Sequence, residues 1–346
     1  MPRVGRTKVQ YWITRAALNY PNALARALGA EFNVSKAAAA RKLRELVRDG
    51  WLVRHGTTHP VYELGKNRLL HKTFQLPIEH EDLVWQVEFM PYLALSANAA
   101  SLAFYCFTEM VNNATDHSNG TAVEITIRQT ELETRITIQD NGIGIFRKIA
   151  TALGLEDLRF SLLELSKGKL TTDPERHSGE GIFFSSRMCD QFIIRANGLD
   201  YFHAAGCALD VLNDLDHNPV GTMVWMVFCH DTNRTTTEVL NNYASDGTFA
   251  FDKTMVPVNL ARIGTESLVS RSQAKRLMSR FENFRIVALD FNGVEDIGQA
   301  FADEVFRVFP HSHPSVTLVP INTTEQIRQM INRAKGAQSE PVPADS

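Results

Sequence analysis

Residues 89–107 read FMPYLALSANAASLAFYCF, and the run passes without a break into FTEMVNNATDHSNG (107–120). A stretch this apolar is either a buried helix or a membrane span. Pro91, Asn98 and the arrival of Glu109 within the same pattern favour the buried helix. The periodicity predicts a helix over about 89–118. Glu109, Asn113 and Asp116 stand at i, i+4 and i+7, so they share an arc of about 60° on one helix face. On a helix covered by its neighbours, a carboxylate and an amide need partners or a ligand. An Asn oxygen suits Mg²⁺ when waters and phosphates complete the octahedron. A carboxylate one turn earlier can orient or deprotonate a water. The simpler alternative is a solvated polar face at the end of a core helix.

Two alternating runs follow, AVEITIRQ (122–129) and ETRITIQD (133–140). Val123, Ile125 and Ile127 share one face, as do Ile136 and Ile138, which predicts a half-buried hairpin. DNGIGI (140–145) closes the second strand. Gly142 and Gly144 allow positive φ and close backbone approach. Asp140 at the strand end can accept a hydrogen bond from an amine such as that of adenine, or it can form an ordinary Asx turn. A helical stretch over 146–168 and a loop lead to HSGEGIFF (177–184), where Ser178, Gly179 and Gly181 open a helix. Backbone amides at such an end bind phosphate without side chains. Further strands follow, the last opened by Gly221-Thr222.

The order of these pieces resembles the GHKL ATPase superfamily. That family groups DNA gyrase, the ninety-kilodalton heat-shock chaperone, MutL-type repair ATPases, histidine kinases and anti-sigma-factor serine kinases. The resemblance covers about residues 85–230 and implies the Bergerat fold, helices on one face of a mixed sheet. It implies ATP and Mg²⁺ as cofactors. Glu109 is then the water-activating base, Asn113 the Mg²⁺ ligand, and Asp116 the third acidic position of that helix. Asp140 contacts adenine, backed by Thr222. Gly142, Gly144, Gly179 and Gly181 shape the pocket and phosphate loop, with Lys167, Lys169 and Arg176 within reach of the phosphates. A base at 109 also suits a kinase that deprotonates a serine hydroxyl, and TEMVNNATDHS is closest to the anti-sigma serine kinases. A sensor histidine kinase needs a longer helical hairpin than 66–88 offers, although His71 and His80 lie there.

Charge separates the N-terminal part from the rest. The net charge is −3, yet residues 1–76 hold 14 Lys/Arg against 4 Asp/Glu, leaving 22 against 35 in the remainder. A basic end on an acidic body points to an anionic partner. Helical patterns at 7–20 and 22–31, a third helix from Ser35 to Gly50, and a Gly-containing hairpin over 51–64 follow the winged helix-turn-helix order. Lys36, Arg41, Lys42 and Arg44 on the third helix and Arg54 at the wing are the expected DNA contacts. The alternative is a protein dock with solvated charges. The four cysteines lack CxxC spacing and a disulfide framework, and no apolar leader is visible; both fit a cytoplasmic protein.

Residues 250–335 resemble the STAS-like domain of unknown function that follows such ATPase domains in bacterial proteins, on SRSQAKRL (270–277) and ALDFNGVEDIGQAFADEVFRVF (288–309). STAS anti-anti-sigma proteins carry a phosphoacceptor serine before the corresponding helix. Here that position falls on Gln299 or Ala300, which leaves Ser270 or a serine of another protein as acceptor. Asp290, Asp303 and Glu304 form an acidic group near that helix start. The expected organisation is an α/β multidomain chain: winged helix (1–65), connector (66–88), ATP-binding domain (89–230), linker (231–250), STAS-like domain (251–335) and disordered tail (336–346). The expected function is a DNA-binding regulator switched by Mg-ATP. The alternatives are a serine/threonine kinase acting on a partner protein and a nucleotide-inactive scaffold on DNA. A homodimer is compatible with each, and no membrane partner is expected.

Overall fold

The computed structural model describes residues 6–171, 178–206, 210–244, 250–262 and 266–336. Cys207, Arg176 and the tail beyond 336 lie outside them. The chain begins with three helices, α1 (Arg6–Asn19), α2 (Leu24–Glu31) and α3 (Lys36–Arg48). Ser35 caps α3 by accepting a hydrogen bond from Ala38 N, and Gly50 ends the turn beyond it at φ 74°. A hairpin follows, β1 (Leu52–His55) against β2 (Val61–Leu64), with Leu52 opposite Leu64. Ile13, Leu24, Leu28, Leu43 and Leu46 close a core of their own with Trp51 and Leu52.

The expected connector is not a loop. Residues 68–75 form β3 (Arg68–Gln75), paired antiparallel along its full length with β4 (Ala122–Gln129). The sequence RLLHKTFQ hides this strand because its second half is polar, as suits the edge of a sheet. The helix expected over 89–118 is also divided. A short α4 (Glu81–Val84) continues as a wide turn to Phe89, and a 3-10 turn holds Pro91. The long α5 (Ala97–His117) starts only at Ser96, whose hydroxyl accepts from Ala99 N. Proline restricts the backbone before it, and serine offers a new N-terminus a few residues later.

Then come β5 (Glu133–Asp140), α6 (Ile145–Leu153), α7 (Phe160–Lys167), α8 (Gly181–Met188), β6 (Gln191–Ala196), β7 (Leu199–Ala204), β8 (Val211–Asp214) and β9 (Thr222–Cys229). Gly154 in the left-handed region separates α6 from the run expected as one helix to 168. The last part holds α9 (Thr236–Asn241), β10 (Lys253–Pro257), α10 (Arg271–Met278), β11 (Ile286–Asp290), α11 (Gln299–Asp303), α12 (Phe309–Ser312), β12 (Thr317–Ile321) and α13 (Glu325–Gly336). No described helix is long and apolar enough to cross a membrane.

These elements form two compact units that do not follow chain order. The first takes Met1–Ile143, Cys189–Arg195 and Pro219–Thr235. Its sheet runs in the order β3, β4, β5, β9, β6, with the first four strands antiparallel in succession. Val123, Ile125, Ile127, Ile136 and Ile138 are buried as the alternation predicts, and α5 buries Leu102, Cys106, Phe107 and Met110. The second unit takes Gly144–Met188, Ala196–Asn218 and Thr236–Ser346. It holds the hairpin β7–β8 and a parallel three-stranded sheet, β10–β11–β12, whose crossovers carry α10 and α11–α12. Val256, Val287, Leu289, Phe301 and Val305 form its core.

Candidate functional site

In the first unit, Glu109 and Asn113 are half-buried on α5, while Asp116 is exposed. The shared helix face of the three is therefore graded in depth. Asn113 Nδ2 lies 3.9 Å from Met110 Sδ. Just beyond α5, Ser118 ties the helix end to the Asp140 turn. Its hydroxyl donates to Ala114 O (2.5 Å) and accepts from Gly120 N (2.8 Å). Its carbonyl accepts from Ile143 N at 3.0 Å. A Cβ on Gly142 would stand 2.0 Å from that carbonyl oxygen. Gly142 is thus required for close approach, and the positive φ expected there belongs to Gly144 alone. Asn141 completes the seam, its Oδ1 accepting from Thr121 N (2.8 Å) and Ala122 N (3.0 Å).

Asp140 is buried at the end of β5. Its Oδ1 accepts from Gly142 N at 2.8 Å, an Asx turn, and also from Thr222 N at 3.2 Å. Burial pushes the Asp140 carboxyl above its ordinary range, and the hydrogen bonds from Gly142 and Thr222 oppose that shift. Gly221, at φ 73°, passes so close that a Cβ would lie 2.0 Å from Asp140 O. Gly221→Ala is expected to destabilise the first unit by about 2–4 kcal/mol, from the clash and the left-handed backbone together. Urea unfolding followed by tryptophan fluorescence measures it, since Trp12, Trp51, Trp85 and Trp225 all lie in that unit.

The remaining glycine positions belong to the second unit. Gly144, at φ 85°, precedes α6, and a Cβ there would stand 2.4 Å from Asn197 Oδ1. The same oxygen accepts from Arg147 N at 3.0 Å, so Asn197 supplies a cap to α6. Ser178 is exposed, Gly179 has φ 72°, and Gly181 is the first residue of α8. Leu170 N donates to Gly179 O at 3.0 Å, and a Cβ on Gly179 would lie 2.4 Å from Leu170 C. Burial raises the Glu180 carboxyl, opposed by the charge of Lys169 and a hydrogen bond from Ser178.

The two described lysines expected at the phosphates are engaged elsewhere. Lys167 is fully buried. Its Nζ lies 2.6 Å from Glu164 Oε1 and donates to Ser279 O (2.9 Å) and Arg276 O (3.2 Å). Burial pushes it down to about 8, against the pull of Glu164. Lys169 donates to Asn283 O at 2.9 Å and lies over the rings of Phe284 and Phe251. The C-terminal segment supplies the carbonyls and rings that hold both ammonium groups. Sequence reasoning missed Ser118, Asn141, Asn197, Glu164 and Arg280. Only Glu164, at i, i+3 from Lys167, left a local trace.

Ser270 is the N-cap of α10, in a reciprocal capping box with Gln273. Its hydroxyl is engaged by Gln273 N at 3.2 Å. The start of α11 carries Gly298, Gln299 and Ala300, without a hydroxyl. The three acids expected together are apart in their partners. Asp290 holds Asn292 N and Asn322 Nδ2, Asp303 pairs with Arg307, and Glu304 faces Arg271 and Lys275. On α3, Lys36, Arg41 and Arg44 are exposed. Lys42 is paired to Glu45 at 3.2 Å, and Arg54 donates to Thr57 O within its own hairpin.

A family model, histidine kinase-, DNA gyrase B-, and HSP90-like ATPase, matches residues 99–231. A second, STAS-like domain of unknown function, matches residues 273–328. The chain therefore contains a GHKL-type ATP-binding domain and a STAS-like domain. Glu109, Asn113, Asp140, Gly179 and Thr222 all fall in the first span, Arg280 in the second, and the N-terminal helices in neither. A search of curated proteins found no match to the chain.

Proposed function

We propose that this chain is a DNA-binding regulator whose GHKL domain binds Mg-ATP and uses its binding and hydrolysis as a switch. Residues 6–64 act as a winged helix-turn-helix, with Arg41 and Arg44 of α3 and Arg54 of the hairpin facing DNA. In the ATP site, Asp140 and Thr222 take adenine, Asn113 ligates Mg²⁺, and Glu109 activates water. The residues fit that group: a buried carboxylate stands at the end of β5, and the backbone beside it has no room for a Cβ at Gly142 or Gly221. Bound Mg²⁺ would neutralise charge on the β- and γ-phosphates.

The observation that carries the reading is the seam between the N-terminal helices and the ATPase sheet. Leu69 N of β3 donates to Thr14 Oγ1 of α1 at 3.0 Å. Arg15 of α1 and Lys72 of β3 meet on one carboxylate, Glu88, at 3.2 and 2.6 Å. Lys72 chiefly, with Arg15, holds Glu88 below the usual carboxylate range. Three residues before Glu88, Trp85 packs on Phe107 of α5, ring centroids 5.0 Å apart, and Phe89 does so at 5.7 Å. Phe107 is two residues from Glu109. A helix that responds to nucleotide is thus joined by packed side chains to the helices that would meet DNA.

Coupling requires that ATP favour one arrangement over another. The test is anisotropy of a DNA selected from a random pool, with ATP, with ADP, and with Glu109→Ala. A DNA affinity indifferent to all three sinks the switch. Charge removal gives an independent check. Arg41→Ala and Arg44→Ala are each expected to lower the steepness of log K against log salt by about 0.9 for every phosphate that the missing guanidinium no longer neutralises.

A further inference from the structure

We infer that Arg280, from the STAS-like segment, is a positioning residue for the phosphate-binding turn Ser178–Gly181. The inference rests on the ATP-binding reading above and adds to it a residue from outside the ATPase match. Arg280 follows α10 in the left-handed region, φ 66°. Its guanidinium is mostly buried and grips three residues, Glu164, Gly168 and Lys169. Nη1 donates to Glu164 Oε2 at 3.0 Å, and Nη2 donates to Gly168 O at 2.8 Å and to Lys169 O. One planar fork thus holds the last turn of α7 and both carbonyls of the strap that leaves it.

The strap needs such a hold. Gly168 and Lys169 have φ 79° and 50° in succession, and a lysine in that region is strained. A Cβ on Gly168 would lie 2.7 Å from the ring of Phe251, so the strap also has an aromatic floor. Lys169 returns the contact through Asn283 O. The next residue, Leu170, is the one that pairs with Gly179. Arg280 therefore reaches the phosphate turn through two backbone steps, Lys169 to Leu170 and Leu170 to Gly179. The STAS-like layer is then a fixed support of the phosphate turn in the same chain.

Arg280→Ala and Arg280→Lys separate this role from general stability. Calorimetric titration with Mg-ATP and with adenosine is paired with hydrogen exchange of 168–171 and 179–184 in the absence of nucleotide. In both variants ATP affinity is expected to fall about tenfold or more with adenosine affinity unchanged, because the strap holds the turn offered to phosphates and adenosine carries none. Exchange at the strap and turn rises by a similar factor, and lysine does not restore it because it lacks the fork. Equal losses of ATP and adenosine, or unchanged exchange at 168–171, overturn the role of Arg280 alone. Wild-type protein that binds neither ligand overturns the nucleotide reading, and the phosphate role of Arg280 with it.

Discussion

Glu109→Ala is expected to hydrolyse ATP about 10²–10⁴-fold more slowly than wild type, with Mg-ATP affinity changed by no more than about threefold. The range is that of a general base acting in the transition state. A residue used only there lowers turnover without lowering ground-state binding. It is half-buried on α5, one turn before Asn113, the residue proposed to hold Mg²⁺. Phosphate release and equilibrium titration on the same preparation measure both quantities. If affinity collapses with rate, Glu109 serves the fold. If wild type places the γ-phosphate on protein instead of releasing it, the base works on a hydroxyl and the chain is a kinase.

Glu164→Gln should produce the strongest loss of stability. The variant leaves the ammonium of Lys167 and the guanidinium of Arg280 buried without their shared carboxylate, at a cost of about 3–5 kcal/mol. Hydrogen exchange over 160–171 and 271–284 reports it, because the tryptophans lie in the other unit. The deficit also depends on pH, with a defined sign. Burial already holds Lys167 at about 8 in the native protein, well below its unfolded value. Removing Glu164 lowers it further, since that carboxylate is what pulls it up. Below the lowered value both native proteins carry the charged lysine, and the deficit is full. As pH rises toward 8 the variant sheds its proton first and recovers part of the loss. Above about 8 both native lysines are neutral, and the gap stays constant. A deficit that widened between pH 6 and 8 would contradict the assignment of the buried charge.

The features legible in the sequence share a short range. Ser35 announces its helix because a cap acts across three residues. Val123, Ile125 and Ile127 announce a strand because side chains alternate with period two. Asp140, Gly142, Gly179 and Gly181 stand out because turns and helix starts demand those residue types locally. Even there the reason can shift. The sequence around Gly142 suggests a source of positive φ, and its actual constraint is Ser118, which meets it only after the chain has turned back.

The features hidden from the sequence are set by partners distant along the chain. The strand β3 looks like a polar connector until β4, more than fifty residues on, pairs with it. Lys167 and Lys169, beside the Gly-containing stretch that follows 168, look like phosphate ligands from the sequence. Ser279 O and Asn283 O stand 112 and 114 positions away, and they claim both ammonium groups. The residue order of this chain therefore specifies most of its helices and strands and the residue types it could offer a nucleotide. The three-dimensional packing decides which of those charges remain available to a ligand. A buried cation takes the nearest carboxylate or carbonyl that folding supplies, and no local pattern records which one that will be.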